Sequence, residues 1–100
     1  MMYSYKFIPL AKEDITNAFN WYEEKSPGLG SKFLSALSVE LNKINTVLVE
    51  EKKVYKDFQK HSFKEFPYYI YYKKDENKQL IIIFAVLHKK QDSATFYKRT

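Results

Sequence analysis

Phe66-Pro67-Tyr68-Tyr69-Ile70-Tyr71-Tyr72, then Lys73–Gln79, then Leu80–Leu87 running into His88-Lys89-Lys90, form one continuous pattern in the second half of the chain. Alternation puts Tyr68, Ile70 and Tyr72 on one face of a strand and Tyr69 and Tyr71 on the other. The polar stretch Lys73–Gln79 reads as a turn of hairpin type. Leu80–Leu87 is apolar on both faces, as a central strand is. Pro67 suits an edge, a bulge or a strand start. The pattern describes a hydrophobic two-strand platform whose far end presents an imidazole and two cations to an anionic partner.

Upstream, Val54–Phe58 and His61–Phe66 read as one strand or two short ones, following a change of period after Glu50-Glu51-Lys52-Lys53. Before that change, Leu34, Leu37, Leu41, Ile44 and Leu48 form an apolar stripe at helical spacing through a helix of about six turns. The stripe is short for a coiled coil and reads as a face packed on a sheet. Ser26-Pro27 resembles an N-cap followed by proline at the first helical position. A preceding helix carries Ile15, Ala18, Phe19 and Tyr22 on one side, with Glu13 and Asp14 in its first turn, where carboxylates favour the helix dipole. The short gap implies a helical hairpin, and Gly28 and Gly30 allow close approach at its corner. Tyr3, Tyr5 and Phe7 alternate with Ser4, Lys6 and Ile8 in a first strand that ends at Pro9. From Ser93 a short helix or irregular tail holds Phe96, Tyr97 and Arg99. The fold class expected is α+β: one domain over residues 1–100, β-α-α-β-β-β, with the helical hairpin on a small antiparallel sheet.

Composition narrows the function classes. Hydrophobic residues make up 45% and aromatics 18% of the 100 residues, too apolar for a disordered chain. The longest apolar run, Leu80–Leu87, falls far short of the roughly 20 residues that span a bilayer, so no membrane partner is expected. The first residues lack the apolar core of a secretory signal. There is no cysteine, so no disulfide framework or thiol chemistry is available. The expected location is the cytoplasm. Residues 1–50 carry a net charge of −1 and residues 51–100 a net +6. That asymmetry points to an acidic or polyanionic partner for the second half, although a lysine-rich solvated surface has the same signature.

Several stretches together carry a family resemblance. Ile15, Ala18, Trp21-Tyr22-Glu23-Glu24, Ser26-Pro27-Gly28-Leu29-Gly30, Phe33-Leu34 and Leu37 resemble the helical hairpin of RelE/ParE-superfamily toxins. Phe66-Pro67-Tyr68, Ile70-Tyr71-Tyr72, Ile82 and Ala85-Val86-Leu87-His88 resemble their C-terminal hairpin. The likeness is closest to the ParE, or plasmid-stabilisation, branch. It implies the toxin of a bacterial type II toxin–antitoxin pair, with a cognate antitoxin as partner and a toxin dimer conceivable within that complex. In the ParE branch the target is DNA gyrase, and the toxin is a binding protein without catalysis. In the RelE branch the target is ribosome-bound mRNA, cleaved by attack of a ribose 2′-hydroxyl on the adjacent phosphate. A third reading is an inactive homologue that only binds its antitoxin. The chain departs from the family where arginines are common, reading Lys60-His61-Ser62-Phe63-Lys64 and His88-Lys89-Lys90-Gln91-Asp92. Lysine keeps the charge and lacks the planar fork that grips phosphate, which leans toward the gyrase reading.

RelE-like chemistry would need a proton acceptor, cations for the phosphorane charge and an acid for the leaving oxygen. His88, Lys89 and Lys90 are the candidates for that role. An imidazole titrates near neutrality, whereas a lysine base requires depression from about 10.4. Lys60, His61, Lys64, Tyr97 and Arg99 are candidates for partner or nucleic-acid binding. Each has a structural alternative: His88 as the end of a buried strand, the tyrosines as core, Trp21-Tyr22 as hairpin packing, Glu23-Glu24 as surface or helix–helix contacts. No cofactor is implied, and no spaced His/Asp/Glu cluster suggests a metal.

Overall fold

The computed structural model describes residues 3–46, 51–91 and 93–99. The elements are β1 (Ser4–Phe7), α1 (Pro9–Lys25), α2 (Leu29–Thr46), β2 (Lys53–Tyr55), β3 (Phe58–Ser62), β4 (Tyr68–Asp75), β5 (Leu80–His88) and α3 (Ala94–Tyr97). The five strands lie in the order β1-β5-β4-β3-β2. The α+β class and the helical hairpin on a sheet are as expected from the sequence. The sheet is mixed rather than wholly antiparallel, because β1 runs parallel to β5 while the other pairings are antiparallel. The cause lies in connectivity, since the helical hairpin and three strands separate β1 from its neighbour. Among the described residues, no helix is long and apolar enough to cross a membrane.

The hairpin of β4 and β5 carries the core on two sides. Toward α1 and α2 the sheet presents Tyr68, Ile70, Tyr72, Ile81, Ile83 and Val86, packed on Tyr22, Phe33 and Ile44. Away from the helices, Tyr71, Ala85, Leu87 and Phe58 enclose the fully buried Phe96 of α3. Phe96 stacks on Tyr71 at 4.3 Å. Strict alternation would place Ile81, Ile83, Ala85 and Leu87 on one face. A register shift in β5, where Tyr71 opposes Ala85 and Tyr72 opposes Ile83, leaves Phe84 as the extra residue and reverses the parity. The expected sides of Tyr68, Ile70 and Tyr72 and of Tyr69 and Tyr71 are the observed ones. The β4 strand runs on to Asp75, so the turn is shorter than Lys73–Gln79.

Three local expectations are corrected. α1 begins at Pro9, whose missing N–H and preset φ suit the first helical position. Glu13 and Asp14 therefore lie beyond its first turn. α2 begins at Leu29 rather than at Pro27, and Ser26 terminates α1 with its N–H donating to Tyr22 O. In α2 the buried face runs through Phe33, Ala36, Leu37, Glu40 and Ile44, whereas Leu34 is 39% exposed; Leu48 falls outside the described residues. The two glycines serve different ends. Gly28 has φ +91, the left-handed region, with open space around it. Gly30 is the close approach: a Cβ there would stand 2.8 Å from the Phe19 ring and 2.9 Å from Glu23 Oε1. Glu23 holds the corner by accepting from the N–H groups of Gly28 and Gly30. Gly30→Ala is expected to cost about 1–3 kcal/mol through overpacking, read from urea unfolding; a loss below about 0.5 kcal/mol would show that the corner relaxes freely.

Candidate functional site

The eight candidate residues from the sequence do not share one surface. The sheet itself separates them. On the α3 side, Lys60 and Ser62 of β3 lie opposite Tyr71 and Tyr69 of β4. Lys60 Nζ sits 4.2 Å from the Tyr69 ring centroid and Lys89 Nζ 5.1 Å from the same ring. Lys89 Nζ also donates to Ser62 Oγ at 2.8 Å. Neither ammonium is paired with a carboxylate among the described residues. Two like charges held by one tyrosine's π face make a local seat for an anion. Farther along this face, Tyr97 packs on Tyr55 at 4.7 Å.

His88 belongs to the opposite side. Its cross-strand neighbour is Tyr68, which faces the helices, and the two rings meet edge-on at 5.3 Å. Its Nδ1 accepts from the Lys90 N–H at 3.0 Å and its own N–H donates to Gln91 Oε1. These contacts shape the turn after β5. The ring borders a cleft of about 370 Å³ beside α1, with Asn17 and the 54%-exposed Trp21 on its far wall. Trp21 thus lies outside the packed hairpin expected for Trp21-Tyr22; Tyr22 alone is buried.

Three other candidates have internal partners. His61 is buried, with Nε2 2.7 Å from Glu40 Oε1 and Nδ1 2.9 Å from Glu51 Oε2. It points to the helix side while its neighbours Lys60 and Ser62 point away, so the expected surface role for His61 does not fit its position. The Lys64 backbone N–H donates to Glu40 Oε2 at 3.2 Å. Arg99 makes a two-pronged contact with Asp14, at 2.6 Å and 2.8 Å, and donates to Phe84 O. Its hydrogen bonds to Asp14 outweigh desolvation and hold the guanidinium above its ordinary pKa. The single arginine of the chain is consequently a structural group with its fork filled.

Burial pushes the Tyr71 hydroxyl up, with Tyr97 and Tyr69 adding to the effect. Residues that the sequence reading left unassigned hold the arrangement together: Ser62 and Tyr69 at the lysine pair, Glu40 and Glu51 at His61, and Asp14 at Arg99. Glu40 had a visible signal, a carboxylate at the buried helical spacing of Phe33, Leu37 and Ile44. Among the described residues, no group of three or more His, Asp or Glu side chains could hold a metal ion.

Two helices packed on a five-stranded mixed sheet give the chain an α+β fold that it shares with solved ParE and RelE structures. The structure resembles the chromosomal ParDE toxin–antitoxin system of P. aeruginosa (TM-score 0.73, 13% identity, 87% of this chain and 96% of that chain). It also resembles a mutant of the E. coli toxin RelE in the free state (TM-score 0.63, 15% identity, 99% and 94%). A third likeness is to the toxin–antitoxin complex RelBE2 of Mycobacterium tuberculosis (TM-score 0.55, 13% identity, 88% and 99%). No curated protein matches in sequence. The profile of the ParE toxin of type II toxin–antitoxin systems, parDE, matches residues 5–93, and the chain belongs to that family.

The Glu40 carboxyl gives a pH prediction. Burial opposes its ionisation, but the hydrogen bonds from His61 and Lys64 N–H, with the charges of Lys43 and His61, together hold it below its ordinary value of 4.5. A depressed carboxyl stabilises the fold above its unfolded pKa, and that contribution is lost as pH falls through the folded one. Stability should therefore decline as pH drops below 4.5. Glu40→Gln should lose about 1–3 kcal/mol at neutral pH by weakening the contacts to His61 Nε2 and the Lys64 N–H, and show a shallower acid limb in urea titrations. An unchanged acid limb in the variant would contradict this.

Proposed function

We propose that the chain is a toxin that acts by binding, inhibiting DNA gyrase in the ParE manner, and that a cognate antitoxin neutralises it by covering its basic surface. The placement of His88 carries this reading. Acid–base cleavage of RNA asks for an imidazole and cations around one phosphate. Here His88 lies on the helix side of the sheet, whereas Lys60 and Lys89 converge on the other. The remaining imidazole is enclosed by Glu40 and Glu51, and the one guanidinium by Asp14. Membership of the ParE family adds independent support.

As a binding surface the chain offers the Lys60–Tyr69–Lys89 seat and the basic second half around it, suited to acidic groups on a protein partner. Ribosome-dependent mRNA cleavage is the second reading, favoured by one observation: the Lys89 ammonium beside the Ser62 hydroxyl, with Lys60 over the same tyrosine ring, would also attract a phosphate. Both readings place the protein in the cytoplasm, where gyrase and ribosomes are.

Supercoiling by purified gyrase should stop in the presence of the purified chain, while ribosome-bound transcripts remain intact. His88→Ala should inhibit gyrase as the parent does, with folding stability within about 0.5 kcal/mol. Transcript cleavage that His88→Ala or Lys89→Ala abolishes, with no effect on supercoiling, would overturn the gyrase reading in favour of the second.

A further inference from the structure

The buried cluster around His61 has no part in the binding reading, yet it joins three elements. Glu40 comes from α2, His61 from β3, and Glu51 from the residues just ahead of β2. The side chains of His61 and Glu40 are 11% and 4% exposed, and that of Glu51 26%. Tyr72 of β4 donates its hydroxyl proton to Glu51 Oε1, and Gln59 Nε2 donates to the Glu51 backbone carbonyl at 2.6 Å. On the other side, Glu40 accepts from the Lys64 N–H and has Lys43 Nζ at 3.6 Å.

An ionised carboxylate only accepts hydrogen bonds. A ring whose Nε2 and Nδ1 each face one must donate from both, which the imidazolium alone does. Loss of one proton would turn a ring lone pair toward a carboxylate at hydrogen-bond distance. The two carboxylates are not equally able to withdraw. Glu40 is buried on a helix and keeps the Lys64 N–H and Lys43. Glu51 is half-buried and can turn into water. Its departure would also loosen its contact with Tyr72. β2 is three residues at the sheet edge with an irregular register to β3, and its start is held beside the Glu51 side chain by the Gln59 bond to the Glu51 carbonyl.

We propose that His61 is a protonation-dependent clamp: as imidazolium it fastens Glu51, and with it the entry to β2, onto the sheet, and on losing its proton it lets them go. Among the described residues, the groups around the ring are Glu40 and Lys43 from α2, Glu51 ahead of β2, Gln59 on the same strand, Tyr72 from β4 and the Lys64 amide.

Hydrogen exchange of the full chain, followed from about pH 6 to about pH 9 and corrected for intrinsic rates, tests this. Nitrogen-15 spectra of the His61 ring on the same samples report its protonation. The clamp predicts a ring protonated at both nitrogens at the lower pH. It also predicts a fall in amide protection over residues 51–57 of at least about tenfold that follows the ring's titration. Protection in β4 and β5 should stay constant across that step. Glu51→Gln should retain the β4–β5 protection and lose the pH step over residues 51–57, and His61→Gln should show the weaker protection at every pH. A ring with one bare nitrogen at the lower pH would overturn the clamp. So would residues 51–57 keeping their protection as the ring titrates, or β4 and β5 opening in step with them.

Discussion

The pairing of Asp14 with Arg99 repairs the stretch of β5 that β1 leaves uncovered. β1 pairs with β5 only as far as Phe7 and Ile83, because Pro9 turns the chain into α1 two residues later. β5 continues to His88 with a free edge beside the helix. Arg99 donates to Phe84 O, and Asp14 accepts from the Val86 N–H at 3.0 Å. Left unmade, such buried backbone groups cost about 1–3 kcal/mol each. The ion pair thus substitutes for the missing strand. It fixes α1 to the upper half of β5 and draws the C-terminal residues around the sheet edge, where Phe96 closes the second core. The bulge at Phe84 belongs to the same device, since it turns the Phe84 carbonyl and Val86 N–H toward the side that β1 has vacated.

Function follows from what this repair consumes and what the sheet divides. The chain's only guanidinium is committed to Asp14, so the cations left for the proposed partner are lysines, which attract anions as point charges without a bidentate fork. Lys60 and Lys89 are gathered on the α3 face by Tyr69, and His88 is placed on the helix face by its pairing with Tyr68. The sheet standing between imidazole and cations is what supports the proposed binding role over phosphodiester cleavage. Membership of the ParE toxin family agrees with that division.

The sequence revealed those parts whose neighbours are close in the chain. Alternation from Tyr68 to Tyr72 was readable because each residue's side is set by the next, and the helical hairpin because its apolar positions repeat at short spacing. Long-range pairing was hidden. Asp14 read as a helix-start carboxylate because its partner lies 85 positions away, and β1 gave no sign that its neighbour would be β5. The parity switch at Phe84 was invisible for another reason: where every residue from Leu80 to Leu87 is apolar, no pattern marks which one is extra. His61 read as a surface imidazole since Glu40 and Glu51 flank it only after folding. Ser62 and Tyr69 were overlooked because neither type announces an anion seat without the lysines beside it.

The claim that the lone arginine is structural is tested most directly by a double-mutant cycle on unfolding free energy with Asp14→Ala, Arg99→Ala and the double variant. The account predicts that the two substitutions are strongly non-additive, with a coupling energy of about 2 kcal/mol. Effects that add to within about 0.5 kcal/mol would contradict it and return Arg99 to the binding surface.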